Sequence, residues 1–158
     1  MPRKQVRRKL SSLNCDVISL IGRHTANGIE GRFFKMSKTS KFGIKAYNNF
    51  DDAQCAYEMQ QKAAKMGVGP KVGKMLIIQH RERKQDEYID VWYGYETQVA
   101  QPVIGGFRSP IWKEQHREVE RKLDKIGCGG DFCPRNCGTI KGKLVCVDFG
   151  GCSILSRS

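Results

Sequence analysis

Gly130-Asp131-Phe132-Cys133-Pro134-Arg135-Asn136, with Asp148-Phe149-Gly150 a short way downstream, places an Asp and an Asn on one loop and a second Asp at a strand end. Between the two stretches, Thr139-Ile140 and Lys143-Leu144-Val145-Cys146-Val147 read as strands around a Lys141-Gly142 turn. A hairpin of that kind returns Asp148 towards Asn136. Mg²⁺ prefers oxygen ligands and takes few of them from protein. Phosphoryl transfer from a nucleoside triphosphate needs a carboxylate on the metal, a second oxygen donor to share it, and a carboxylate near the attacking hydroxyl. Asp148, Asn136 and Asp131 are residues of those types in a workable order.

Upstream of this pair the chain reads as one helix and then a β-rich half. Ser109-Pro110 starts a helix that runs to about Ile126, with Ser109 as its cap and Gly127 at its end. Trp112, His116, Val119, Leu123 and Ile126 form its apolar stripe, and Glu118 can pair with Lys122. Further back, residues 17–21, 32–36, 41–47, 74–79 and 88–95 read as strands, with an Asn27-Gly28 turn between the first two. In the third, Phe42, Ile44 and Ala46 alternate on one face and leave Lys45 on the other. A helix follows that strand, capped by Asp51 or Asp52 and ended by Gly67. Its apolar stripe is Cys55, Met59, Ala63 and Met66, with Glu58 beside it. The expected fold class is α+β, with a basic arm over 1–14, a first lobe over 15–99 and a second over 100–158.

The Asp131-to-Asn136 spacing, D-x-x-x-x-N, together with the DFG at 148–150 resembles the protein-kinase-like superfamily. The Gly130-Asp131 start and Pro134 are most similar to its atypical and small-molecule kinases, with Gly129 and Cys133 where those families often carry His. Gly43-Ile44-Lys45-Ala46 is similar to the V-A-I-K motif, and Glu58 to the helix Glu that pairs with its Lys. Gly22, Gly28 and Gly31 correspond to the phosphate-covering loop without spelling G-x-G-x-x-G. Tyr95-Glu96-Thr97-Gln98-Val99 corresponds to the hinge, whose backbone binds adenine.

The resemblance implies a five-stranded antiparallel N-lobe sheet with one helix, plus a reduced C-lobe. A usual member continues well past DFG into an activation segment and further helices. It implies ATP and Mg²⁺ as cofactors, and transfer of the γ-phosphoryl group to a hydroxyl of a protein. Asp131, Lys45 and Glu58 would be catalytic, and Gly22, Gly28, Gly31, Lys45 and Glu96 would contact the nucleotide. Asn136 and Asp148 would hold the metal. The alternative within the resemblance is a pseudokinase that binds and regulates a partner. A shortened lobe leaves apolar surface for a partner protein or a second copy.

Composition sets the outer bounds. The 158 residues suit one domain or two small lobes. Lys and Arg number 28 against 16 Asp and Glu, a net charge of +12, which favours an acidic partner such as a nucleotide or nucleic acid. The positive charge is spread over both halves without a nucleic-acid module. No apolar run has the length of a membrane span, so no membrane is expected. The basic start lacks the apolar stretch of a signal peptide, which points to a cytoplasmic protein with its seven cysteines reduced. Cys128, Cys133, Cys137, Cys146 and Cys152 crowd the C-terminal part without a C-x-x-C knuckle. A zinc-stabilised nucleic-acid binder is therefore the third reading.

Overall fold

The computed structural model describes residues 15–22, 26–27, 31–35, 41–128 and 132–149. Its strands are β1 (Asp16–Ile21), β2 (Ala26–Asn27), β3 (Gly31–Lys35), β4 (Phe42–Tyr47), β5 (Val72–Arg81), β6 (Asp90–Gln98), β7 (Gln101–Pro102), β8 (Cys137–Ile140) and β9 (Lys143–Cys146). Its α-helices are α1 (Phe50–Lys65) and α2 (Pro110–Lys125). The fold is α+β, and contacts divide it into two compact units. The first takes the chain to Gln54 plus Gly73–Glu96. The second takes Cys55–Val72 and everything from Thr97. It thus includes the stretch 55–72 that the sequence reading groups with the first lobe.

A six-stranded sheet in the order β1-β5-β6-β4-β3-β2 builds the first unit. All five expected strands are present, and β2 is an addition. The sheet is mixed rather than antiparallel: β1 runs parallel to β5, while β2, β3 and β4 form an antiparallel meander. An exposed Lys74–Asp16 ion pair of 2.7 Å joins β5 to β1, and the Asp16 hydrogen bond and charge raise the Lys74 pKa. Such an exposed pair adds little stability.

One face of this sheet buries Phe34, Ile44, Ala46, Leu76, Ile78 and Trp92 in a single apolar cluster. Arg32 lies over the Trp92 ring at 4.1 Å from its centroid, a cation–π contact. Alternation along β4 holds for Ile44 and Ala46, but Phe42 is 51% exposed and stands outside the core. The other face carries Tyr47 stacked on Tyr95, and Phe50 edge-on to Tyr93. Trp92 on one face and Tyr93 and Tyr95 on the other are all buried, so β6 is buried at consecutive positions rather than alternate ones.

Helix α1 is capped by Asn49 and not by Asp51 or Asp52. Asn49 Oδ1 accepts the Asp52 N–H at 2.9 Å, and Asp52 Oδ2 accepts from Asn49 Nδ2 at 2.7 Å. This is a reciprocal box in which Asp52 is the answering residue. At the far end the Val68 N–H reaches the Ala63 carbonyl, and the Gly67 N–H reaches that of Ala64, a Schellman stop. The buried face is Ala53, Ala56, Met59, Gln60 and Ala63. Cys55 and Met66, expected in the stripe, are only half-buried.

In the second unit, β7, β8 and β9 form a small sheet, and α2 lies along β9. Trp112, Val119 and Leu123 face inward from α2, while His116 and Ile126 stay half-buried. Ser109 occupies the N-cap position with Pro110 after it, yet its side chain makes no capping bond. Gln115 secures the hairpin: its Nε2 donates to Gly142 O at 3.1 Å and its Oε1 accepts the Leu144 N–H at 2.9 Å. Fully buried Gln60 donates to Pro70 O and Thr97 Oγ1, which holds the chain after α1 against the end of β6. Ile104 and Phe107 are exposed apolar residues just before α2. Among the described residues no helix is long and apolar enough to cross a membrane.

Candidate functional site

The best-defined part of the site is the β8–β9 hairpin. Ile140 and Lys143 pair across a two-residue turn in which Lys141 (φ 50°) and Gly142 (φ 77°) are both left-handed. Two such residues make a type I′ turn, whose twist suits a hairpin. The ladder runs back to Cys137 opposite Cys146. One step beyond, the Val147 N–H donates to the Asn136 carbonyl at 2.8 Å. Asn136 and Asp148 are thereby brought to the same end of the hairpin, both half-buried.

Each is held from behind. Asn136 ends a short 3-10 turn, Pro134–Asn136, and its N–H donates to Cys133 O at 3.0 Å. Pro134 is buried beneath it. After Asp148, Phe149 is fully buried, and the Asp148 carbonyl accepts from Cys146 Sγ at 3.4 Å. Asp131 lies outside the described residues. The residue after it, Phe132, packs on Trp112 with centroids 5.0 Å apart, and Trp112 stacks on His116 at 5.0 Å. His116 Nδ1 pairs with Trp112 O at 2.7 Å. This aromatic column anchors the loop immediately beyond Asp131.

An amide oxygen and a carboxylate at one hairpin end suit Mg²⁺, which keeps several of its waters. Asn136 and Asp148 are the residues that would hold it. Among the described residues no group of three or more His, Cys, Asp or Glu could hold a metal ion. Zinc therefore has no full ligand set among them. Cys128, Cys137 and Cys146 are buried and in no disulfide, and buried thiols behave as small apolar groups.

Lys45 belongs to the first unit. It is half-buried on β4, on the face opposite Ile44 and Ala46, with Phe33 of β3 as its cross-strand partner. Two glycines shape its surroundings. A Cβ on Gly94 of β6 would overlap the Lys45 carbonyl oxygen, so only glycine lets the two strands approach there. A Cβ on Gly43 would overlap the Phe33 ring, which lies across that glycine. The phenyl ring beside Lys45 was not foreseen from sequence. Its signal was the isolated glycine within a strand pattern, a mark of close approach.

Glu58 is on the exposed side of α1 and belongs to the second unit, whereas Lys45 belongs to the first. Glu96 is still within β6, its side chain covering Gly73. The next two residues are already engaged. The Gln98 N–H donates to Lys71 O at 2.8 Å, and Thr97 Oγ1 donates to Gln98 O at 3.2 Å. Gly22 (φ 114°) ends β1 and donates to Arg81 O at 2.9 Å, and its carbonyl pairs with buried His80 Nε2. Gly31 opens β3 opposite Tyr47, and three strands stand between β1 and β3 in the sheet. Gly28 lies outside the described residues. No known family model matches the chain, and no curated protein does.

Proposed function

We propose that the chain binds Mg·ATP and transfers its γ-phosphoryl group to a hydroxyl, with a protein as acceptor. The observation that carries this reading is the approach of Asn136 and Asp148 through the Val147–Asn136 bond at the end of one hairpin. A half-buried lysine on an interior strand, ahead of a helix, supports it further. Lys45 supplies a compact positive charge for the α and β phosphates. Asn136 and Asp148 would hold Mg²⁺, whose charge would offset that of the phosphates. Asp131 accepts the proton of the attacking hydroxyl as its oxygen bonds to phosphorus and the bond to the β-phosphate oxygen breaks. Gly28 and Gly31 remain the residues for covering the phosphates, while Gly22 anchors β1 to β5. The adenine is assigned to the backbone around Glu96.

A second reading is a nucleotide-binding pseudokinase, since Gly129 and Cys133 stand where the resembled families often carry His. Labelled γ-phosphate separates the two. The kinase reading expects incorporation into this chain or a mixed protein acceptor, lost in Asp131→Asn and Asp148→Asn with unchanged circular dichroism. Incorporation that survives Asp148→Asn overturns it. Nucleotide binding without incorporation selects the second reading.

A further inference from the structure

Two thiols at the base of the β8–β9 hairpin take no part in the proposed chemistry. Cys137 and Cys146 stand directly opposite each other in the antiparallel ladder. The backbone bonds identify what kind of pair this is. The Cys146 N–H turns away from β8, to Val68 O at 2.9 Å, and the Leu144 N–H also turns away, to Gln115 Oε1 at 2.9 Å. The Val147 N–H turns towards β8, to Asn136 O at 2.8 Å. Inward and outward N–H groups alternate along an antiparallel strand, so 137/146 is a non-hydrogen-bonded pair. Such pairs have the shorter Cα separation, about 4.5 Å, with both side chains on one face. A disulfide spans Cα separations of about 4.4–6.8 Å.

Cys137 Sγ donates to Cys133 O at 3.2 Å and Cys146 Sγ to Asp148 O at 3.4 Å, both weak bonds. Cys137 also interacts electrostatically with Cys146 and with Cys133, which fits their closeness.

We propose that Cys137 and Cys146 are a modification site: a reversible dithiol that a peroxide oxidises to a cross-strand disulfide. One sulfur attacks a peroxide oxygen, the O–O bond breaks, and a sulfenic acid and one water result. The second sulfur attacks the sulfenic sulfur, the S–S bond forms, and a second water leaves. Two electrons pass from the sulfurs to the peroxide, and both thiol protons end in water. The cross-link does not depend on the nucleotide reading. Its consequence does rest on that reading: it would tie together the neighbours of both proposed Mg²⁺ ligands.

The test is peptide mapping of the whole chain after hydrogen peroxide, with alkylation before digestion. Trypsin cuts after Arg135, Lys141 and Lys143, so the two cysteines fall on separate peptides. The expected product joins those peptides with loss of two hydrogens and disappears on reduction. It persists in Cys152→Ser, which removes the other cysteine of the second peptide, and is absent in Cys146→Ala. Cys137 recovered alkylated, or joined to Cys133 or Cys152, overturns the proposal. Should Cys146→Ala fail to fold, the wild type and Cys152→Ser decide alone.

Discussion

Lys45 and the Asn136–Asp148 pair are held by opposite means. Lys45 sits within a sheet, and its place depends on β3, the strand just before it, and on β6, which is distant in sequence. Gly94 admits the Lys45 carbonyl and Gly43 admits the Phe33 ring. Asn136 and Asp148 depend on one short hairpin, whose turn, ladder and closing bond are all local. The difference teaches that the setting of Lys45 fails when the sheet is disturbed, while the hairpin end adjusts by small steps. Substitutions can break or sharpen that contrast.

The largest effect is expected at Gly94. Gly94→Ala forces a methyl group into the Lys45 carbonyl, and overpacking of this kind costs about 3 kcal/mol. Urea unfolding followed by circular dichroism should show the midpoint falling sharply. A midpoint within error of wild type would break the account of how β4 and β6 meet.

Gln115→Leu comes next. It removes both bonds from α2 to the hairpin and leaves the Leu144 N–H without its acceptor. A loss of about 1–2 kcal/mol is expected. At this chain length each kcal/mol lowers the Tm by about 2–4 °C. An unchanged Tm would mean that the hairpin stands without α2.

Lys141→Asn should move stability the other way. Lysine tolerates a positive φ poorly, whereas Asn-Gly is the favoured type I′ pair. A gain of about 0.5 kcal/mol is expected, read as a higher Tm. A lower Tm would contradict the assigned turn.

The smallest effect belongs to Glu118. The hydrogen bond from Arg121 holds its carboxyl below the usual range, against a smaller opposing effect of desolvation. A lowered folded pKa stabilises above the unfolded value and is lost as pH falls through the folded one. The pair is exposed, so Glu118→Gln should lower the Tm only slightly near neutral pH. The difference should vanish in acid. A gap that widens in acid would reverse the sign.

What the sequence made legible follows the same contrast. The Lys141-Gly142 turn, both helix-ending glycines and the strand leading to Asp148 are local signals, so the approach of Asn136 to Asp148 could be read in advance. The sheet order could not, because the pairing of β1 with β5 is settled by distant partners. Phe42 reads as core by alternation, but it stands at the start of β4, where it is half-exposed. Asn49 caps α1 although the two Asp residues were the stronger composition signal. Phe132 on Trp112 left no periodic trace, since it joins a loop residue to a helix. Lys45 is read from its strand and Glu58 from its helix; the first is half-buried and the second exposed.

The most direct test of the central claim is calorimetric titration of Mg·ATP into the folded protein, beside Lys45→Ala and Asp148→Asn. The expected result is saturable binding that weakens in both variants, with Asp148→Asn also losing most of the dependence on Mg²⁺. Folded wild-type protein that gives no heat of binding, or binding that both variants retain in full, would contradict it.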